Sequence, residues 1–145
     1  MTIETEQKRK YFFSEPAGET NNSRTFRAQE LTYQRDVFIK AIAISGDSVA
    51  VKSALGHAEA EAKAMISAGM KTSRVPVVHE YFYDESSRTF YIVMQLIRGK
   101  SLADRMAEGK LYAREVLTAL ADVCDVLALM QKNNYRYYTD ILNNF

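Results

Sequence analysis

A lysine stands inside an almost wholly apolar run, Asp36-Val37-Phe38-Ile39-Lys40-Ala41-Ile42-Ala43-Ile44. The run is rich in β-branched residues and closed by Ser45-Gly46-Asp47, which predicts a strand buried on both faces with a turn behind it. An unpaired ammonium in such a low-dielectric setting is costly, so Lys40 requires an acidic partner or an anionic ligand. Candidate acids follow within the next thirty residues. From Val51 to Met70, the residues Ala54, Leu55, Ala58, Ala62, Met65 and Ile66 fall on one stripe at helical spacing, with Gly69 near the expected end. On that helix Glu59 lies beside Lys52 and Lys63, whereas Glu61, on the opposite shoulder of the stripe, has no lysine or arginine within a turn. Glu61 is therefore the carboxylate predicted to meet Lys40. Two chemistries fit the pair: a structural salt bridge between strand and helix, and an ammonium held in place for an anionic ligand.

Two further residues carry possible chemistry. Asp140, in Tyr138-Thr139-Asp140, reads from the residues alone as a solvent-facing loop residue near the C-terminus. Cys124 is the one cysteine, so it has no internal disulfide partner, and its place in an apolar helical pattern predicts a small core residue.

The elements that must position these residues are legible to different degrees. Tyr11 to Phe26, with Pro16, Gly18 and the polar run Glu19-Thr20-Asn21-Asn22-Ser23, reads as a loop between two short strands. Val75 to Val78 and Glu80 to Tyr83 are strand material, and the polar turn Asp84 to Ser87 leads into Thr89 to Met94, which predicts a hairpin. The chain then leaves the sheet through Gln95 to Lys100 and enters a short helix with Ser101 as N-cap, Asp104 in the first turn and Gly109 as stop. A last helix runs from about Tyr112 to Gln131, and its apolar residues occupy well over half of its circumference. It must be covered on more than one side, which predicts a protein partner or self-association through residues 112–131.

The 145 residues are 47% hydrophobic and 26% charged, the composition of one globular chain, of a size that buries roughly 68% of its unfolded surface. Lys and Arg total 19 against 18 for Asp and Glu, so no charge field points to nucleic acid or a membrane surface. The opening MTIETEQKRK lacks the apolar core of a signal peptide, and the apolar stretch from Tyr91 to Ile97 is far short of the ~18 residues of a membrane span. The expectation is a cytoplasmic protein with no membrane and no nucleic-acid partner.

Taken in order, the chain reads strand, polar loop, strand with lysine, helix with glutamate, two strands, linker, two helices and a loop with Asp140. From Gly18 to Asp140 this resembles the protein-kinase family. Val37-Phe38-Ile39-Lys40 is similar to the family's V-A-I-K strand, whose lysine holds the α and β phosphates of ATP, and Glu61 to the helix glutamate that pairs with it. Tyr91 to Leu102 is similar to the last small-lobe strand, gatekeeper, hinge and next helix, with Met94 as gatekeeper and Gln95 to Ile97 as the adenine-facing backbone. The resemblance implies an α+β fold: a kinase-like small lobe, made of an antiparallel sheet plus one helix, followed by a hinge and one or two large-lobe helices. It divides the chain into an extension at 1–15, a lobe with hinge at 16–97 and the beginning of a second lobe at 98–145.

The departures from the family set what is expected of function. Of the three glycines of the phosphate loop only Gly18 remains, with Thr20 and Ser23 in the other places, which loosens the backbone approach to phosphate. Phe38, where the family has alanine against adenine, either competes with the base or completes the core of the lobe. Asp140 takes the place of the catalytic base, but Leu142 and Phe145 stand where the family has a lysine and a metal-binding asparagine, and no D-F-G aspartate follows. No metal ligand is assigned. The expected function is a protein kinase-like nucleotide-binding lobe of Ser/Thr-type ancestry, catalytically incomplete as this chain stands, with Lys40, Glu61, Gly18, Gln95 and Ile97 around ATP and magnesium, bound weakly if at all. Two alternatives stand beside it: a non-catalytic, pseudokinase-type protein-binding or regulatory module, and a relative of small-molecule phosphotransferases of the aminoglycoside type.

Overall fold

The computed structural model describes residues 2–4 and 10–133. In chain order these form β1 (Thr2–Glu4), β2 (Lys10–Glu19), β3 (Ser23–Glu30), β4 (Arg35–Ala43), α1 (Ser48–Gly69), β5 (Val78–Asp84), β6 (Thr89–Gln95), α2 (Leu102–Ala107) and α3 (Ala113–Lys132). The fold is α+β, with one antiparallel sheet of order β1-β2-β3-β4-β6-β5. Two compact units divide the described residues. The first holds those up to Ser67 together with Pro76–Ile97, and the second holds Ala68–Val75 together with those from Arg98 onward.

In the first unit both faces of the sheet are apolar, which is why β4 reads as a continuous hydrophobic run. Val37 and Ile39 point to one face, where they join Tyr11, Phe13, Ala28, Tyr91 and Val93. Phe38 and Ile42 point to the other, against Phe90, Ile92, Met94 and the α1 residues Ala58 and Ala62. The alanines let α1 approach the strands closely, and full burial of a side chain such as Ile39 or Ile92 contributes about 1.5–3 kcal/mol. The first face is closed by curvature of the sheet itself: the Tyr11 hydroxyl on β2 donates to Glu80 on β5, although three strands lie between them. Glu30, at the end of β3, is fully buried on that face and pairs with Arg35, while its Oε1 makes no hydrogen bond.

Several expectations change. The segment read as a loop between short strands is two long strands joined at Thr20-Asn21-Asn22, where the Thr20 N–H donates to the Ser23 carbonyl at 2.8 Å. Pro16 is accommodated because β1 pairs only with residues 10–12 of β2, leaving Pro16 on an open edge, between register shifts at Phe13/Glu15 and Pro16/Gly18. Strand β2 thus crosses position 16, and Tyr11 and Phe13 of the expected extension belong to the core. Helix α1 starts at Ser48, three residues before its apolar stripe, because Asp47 Oδ1 accepts the N–H groups of Val49 and Ala50 at 3.1 and 2.9 Å. The β5–β6 turn is fixed by Asp84, which accepts from the Ser86 and Ser87 hydroxyls at 2.7 Å each. These bonds, the one from Ser86 foremost, hold the Asp84 carboxyl below its ordinary range.

In the second unit Ser101 caps α2, its hydroxyl oxygen accepting the Asp104 N–H at 3.1 Å, and Gly109 ends that stretch at φ +148°. Glu115 in the first turn of α3 accepts the Tyr112 N–H at 2.8 Å and meets Arg105 of α2 at 3.2 Å. Arg74 reaches Asp122 at 2.6 Å and Asp125 at 3.4 Å on the side of α3. Val123 and Val126 are the buried residues of α3. Cys124 is exposed, contrary to the expected core position. The helix is apolar on two faces, and periodicity alone does not say which of them is covered. Among the described residues no helix is long and apolar enough to cross a membrane.

Candidate functional site

The pairing of Lys40 follows from two local geometries. Lys40 shares its strand face with Phe38 and Ile42, so its stem leaves the sheet on the side that carries α1. Glu61 lies one residue before the fully buried Ala62, on the shoulder of the α1 stripe. Lys40 Nζ donates to Glu61 Oε1 at 2.6 Å. Glu59 instead meets Lys63 one turn along the same helix, at 2.8 Å, and this raises the Lys63 pKa through the hydrogen bond first and charge second. The choice between the two glutamates thus falls as helical geometry requires. The Lys40–Glu61 pair is not sealed, because the two side chains remain 29% and 41% exposed. The ammonium has two further N–H groups and access to solvent.

Across the sheet, Gly18 of β2 stands opposite Thr25 of β3, and Thr25 stands opposite Lys40. With strands about 4.8 Å apart, Gly18 is about 10 Å from Lys40, measured along the sheet. Gly18 lies within the strand rather than in the turn. A Cβ there would sit 3.1 Å from Thr25 Oγ1, whose hydroxyl donates to the Gly18 carbonyl at 3.3 Å. The hydroxyls of Thr20 and Ser23 are engaged with each other at 2.9 Å. The hairpin over the strand row is therefore tied internally, and its one family-like glycine serves close side-chain packing.

Phe38 stands directly opposite the buried Met94 and packs against the cluster beneath α1, partly exposed. At the end of β6, the Gln95 N–H donates to the Val77 carbonyl at 2.8 Å, so that donor is committed. Ile97 is 60% exposed, and among the described residues its backbone makes no backbone hydrogen bond. The structure brings Lys40 and Glu61 into contact and places Gly18, Gln95 and Ile97 in the same unit as separate features of the sheet and its exit. Asp140 lies outside the described residues.

One feature has no counterpart in the sequence reading. An open groove of about 430 Å³ lies between the β2–β3 turn and the first half of α1, with Asn21, Asn22, Ser45, Ser53 and His57 as its polar lining. Neither Lys40 nor Glu61 lines it. No sequence signal marks it, because it arises from the approach of a turn to a helix that begins more than twenty residues later. Among the described residues, no cluster of three or more His, Cys, Asp or Glu side chains is placed to hold a metal ion.

No family model matches the chain, and no curated protein matches it in sequence.

Proposed function

We propose that residues 10–97 act as a protein-kinase-like lobe that binds an adenine nucleotide weakly, with Lys40 meeting its phosphates and Glu61 holding Lys40 in place. The observation that carries the reading is the solvent-accessible Lys40–Glu61 pair, joining β4 within the sheet to α1, which packs on it. A partly exposed salt bridge adds little stability, whereas a cation left open can still meet an anion. This one leaves its cation open. The order of elements supports the same reading: a hairpin, the lysine strand, the glutamate helix, two strands, a linker and two helices.

Further residues fit a nucleotide unequally. Ile97, whose backbone makes no backbone hydrogen bond among the described residues, lies at the exit of the sheet and suits the edge of a base, while the Gln95 N–H is already taken. Phe38 and Met94 together fill space beside Lys40 where a purine would lie, and the hairpin at Thr20 to Ser23 is internally bonded, so it offers little to phosphate. The nucleotide itself supplies the phosphoryl group, and magnesium would offset its charge. In the family pattern Leu142 and Phe145 replace the polar residues that serve transfer, so the role proposed is binding rather than transfer.

Calorimetric titration of the full chain with ATP, with and without magnesium, tests this. The expected dissociation constant is about 1 mM or weaker, near −4 kcal/mol. Lys40→Met should abolish the heat while circular dichroism stays unchanged, and Phe38→Ala should tighten binding. Equal binding by Lys40→Met, or no heat from either the unmodified chain or a folded Phe38→Ala, refutes the reading.

A further inference from the structure

Helix α3 exposes a second apolar face, opposite the one that buries Val123 and Val126. It consists of Ala113, Leu117, Leu120, Ala121, Cys124 and Ala128, all exposed, with Leu117 at 67% and Leu120 at 55%. At about 100° per residue these six lie within about 50° of a single line along the helix, and Val126 lies about 170° away from it. The steps between them read four, three, one, three and four residues, the same in both directions about the midpoint between Leu120 and Ala121. A stripe with that symmetry is its own complement under a two-fold axis.

We infer that this face of α3 binds the same face of a second copy of the chain, antiparallel, with the two-fold axis passing between Leu120 and Ala121. In that arrangement Leu117 of one copy lies over the smaller Cys124 of the other, Leu120 meets Leu120, Ala121 meets Ala121, and Ala113 meets Ala128. Bulk thus falls on small residues at both ends, which permits close approach of the helices.

The flanks support the same register. On one side, Arg114 of each copy stands within about 3 Å, along the axis, of Asp125 of the other, so two opposite-charge contacts form by symmetry. Among the described residues Arg114 makes no ion pair, and Asp125 makes only the 3.4 Å contact to Arg74. On the other side Val116 stands over Leu127, both apolar. A parallel two-fold pairing would bring opposite flanks together, setting Arg114 beside Val116 and Asp125 beside Leu127, where neither charge meets an opposite one. The stripe from Ala113 to Ala128 is about 22 Å long, a small interface, which predicts a weak and reversible dimer.

Sedimentation equilibrium of the full chain under reducing conditions should show a monomer–dimer equilibrium in the range of about 10 to 500 μM. Leu117→Glu and Leu120→Glu should each raise the dissociation constant at least about tenfold without changing the circular dichroism spectrum. Arg114→Glu should weaken the dimer, and Arg114→Glu combined with Asp125→Arg should restore it. Oxidation supplies the register: Leu117→Cys should form an inter-chain disulfide with Cys124, which it cannot reach within its own helix, since two turns separate them by about 10 Å. A chain that stays monomeric at about 500 μM overturns the inference. So does a dimer that survives Leu120→Glu, or one whose unmodified chains cross-link readily from Cys124 to Cys124, the mark of a parallel pair.

Discussion

The contact between Lys40 and Glu61 makes a quantitative prediction that depends on its exposure. Were both groups sealed in the core, removing either would cost about 3–5 kcal/mol, because the survivor would be an uncompensated buried charge. With 29% and 41% of the two side chains exposed, the survivor is rehydrated. The pair is nevertheless more than a surface contact of up to about 1 kcal/mol, since one short charged hydrogen bond links two different elements. A coupling energy of about 1.5 kcal/mol follows, between those limits. The assay is a double-mutant cycle with Lys40→Met, Glu61→Gln and the combined variant, read by urea denaturation. With a slope of about 2 kcal/mol per molar, the coupling corresponds to a midpoint difference of about 0.75 M. The pair Glu59 and Lys63 is an internal control, because an exposed contact one turn apart on a helix should show a distinctly smaller coupling. A Lys40–Glu61 coupling no larger than the control, or coupling of Lys40 to Glu59→Gln, refutes the reasoning from helix geometry and partial burial.

Two further outcomes follow from the first unit. Arg35→Ala should cost about 3–5 kcal/mol, because it strands the fully buried Glu30, whereas the pair of substitutions Glu30→Met and Arg35→Met should cost much less, as denaturant titration of both variants will show. Asp84, whose carboxyl is held below its ordinary range by the Ser86 and Ser87 hydroxyls, contributes stability that is present above the ordinary carboxylate pKa and lost as pH falls through the depressed value. The stability difference between the unmodified chain and Asp84→Asn should therefore be full at neutral pH and shrink in acid. A difference constant from pH 7 to pH 2 would contradict this.

The parts of the fold that were legible in the sequence are those whose signal is local. Glu61 could be chosen over Glu59 because helix geometry gives Glu59 a lysine and denies one to Glu61, and that asymmetry holds in any context. The strand at Arg35–Ala43, the β5–β6 hairpin and the Ser101 cap also rest on short-range patterns. What was missed depends on partners distant in sequence. Pro16 argues for a loop unless the far side of its strand is an edge, which is decided by how short β1 is. Asp47 reads equally as a turn residue and as a cap, and only the extra turn of helix ahead of Val51 decides between them. Nothing around Glu30 marks it as buried. Its burial follows from the curl that brings Tyr11 to Glu80, a contact across three intervening strands. Cys124 was misplaced because α3 carries apolar residues on two faces, so burial there is set by what the helix packs against.

The placement of Lys40 also explains why an apolar run tolerates it. Its neighbours on the strand face, Phe38 and Ile42, pack beneath α1, and its own stem lies along the same face, so the methylenes are buried with them. The ammonium is carried to the helix shoulder, where Glu61 and water share its solvation. The desolvation cost is thereby kept small, and so is the stability that the pair returns. An alkyl side chain at position 40 would bury the same stem and leave no ammonium to solvate, so packing alone gives no preference for lysine there. Beyond its coupling to Glu61, the charge gains a second role in the proposed function, where an anionic ligand visits that open edge. This is why the decisive variant is Lys40→Met, which keeps the stem and removes the charge. If it costs no more than about 1.5 kcal/mol and eliminates binding of an added polyphosphate, the lysine is a ligand-holding residue, and if it costs several kcal/mol and leaves that binding unchanged the pair is structural after all.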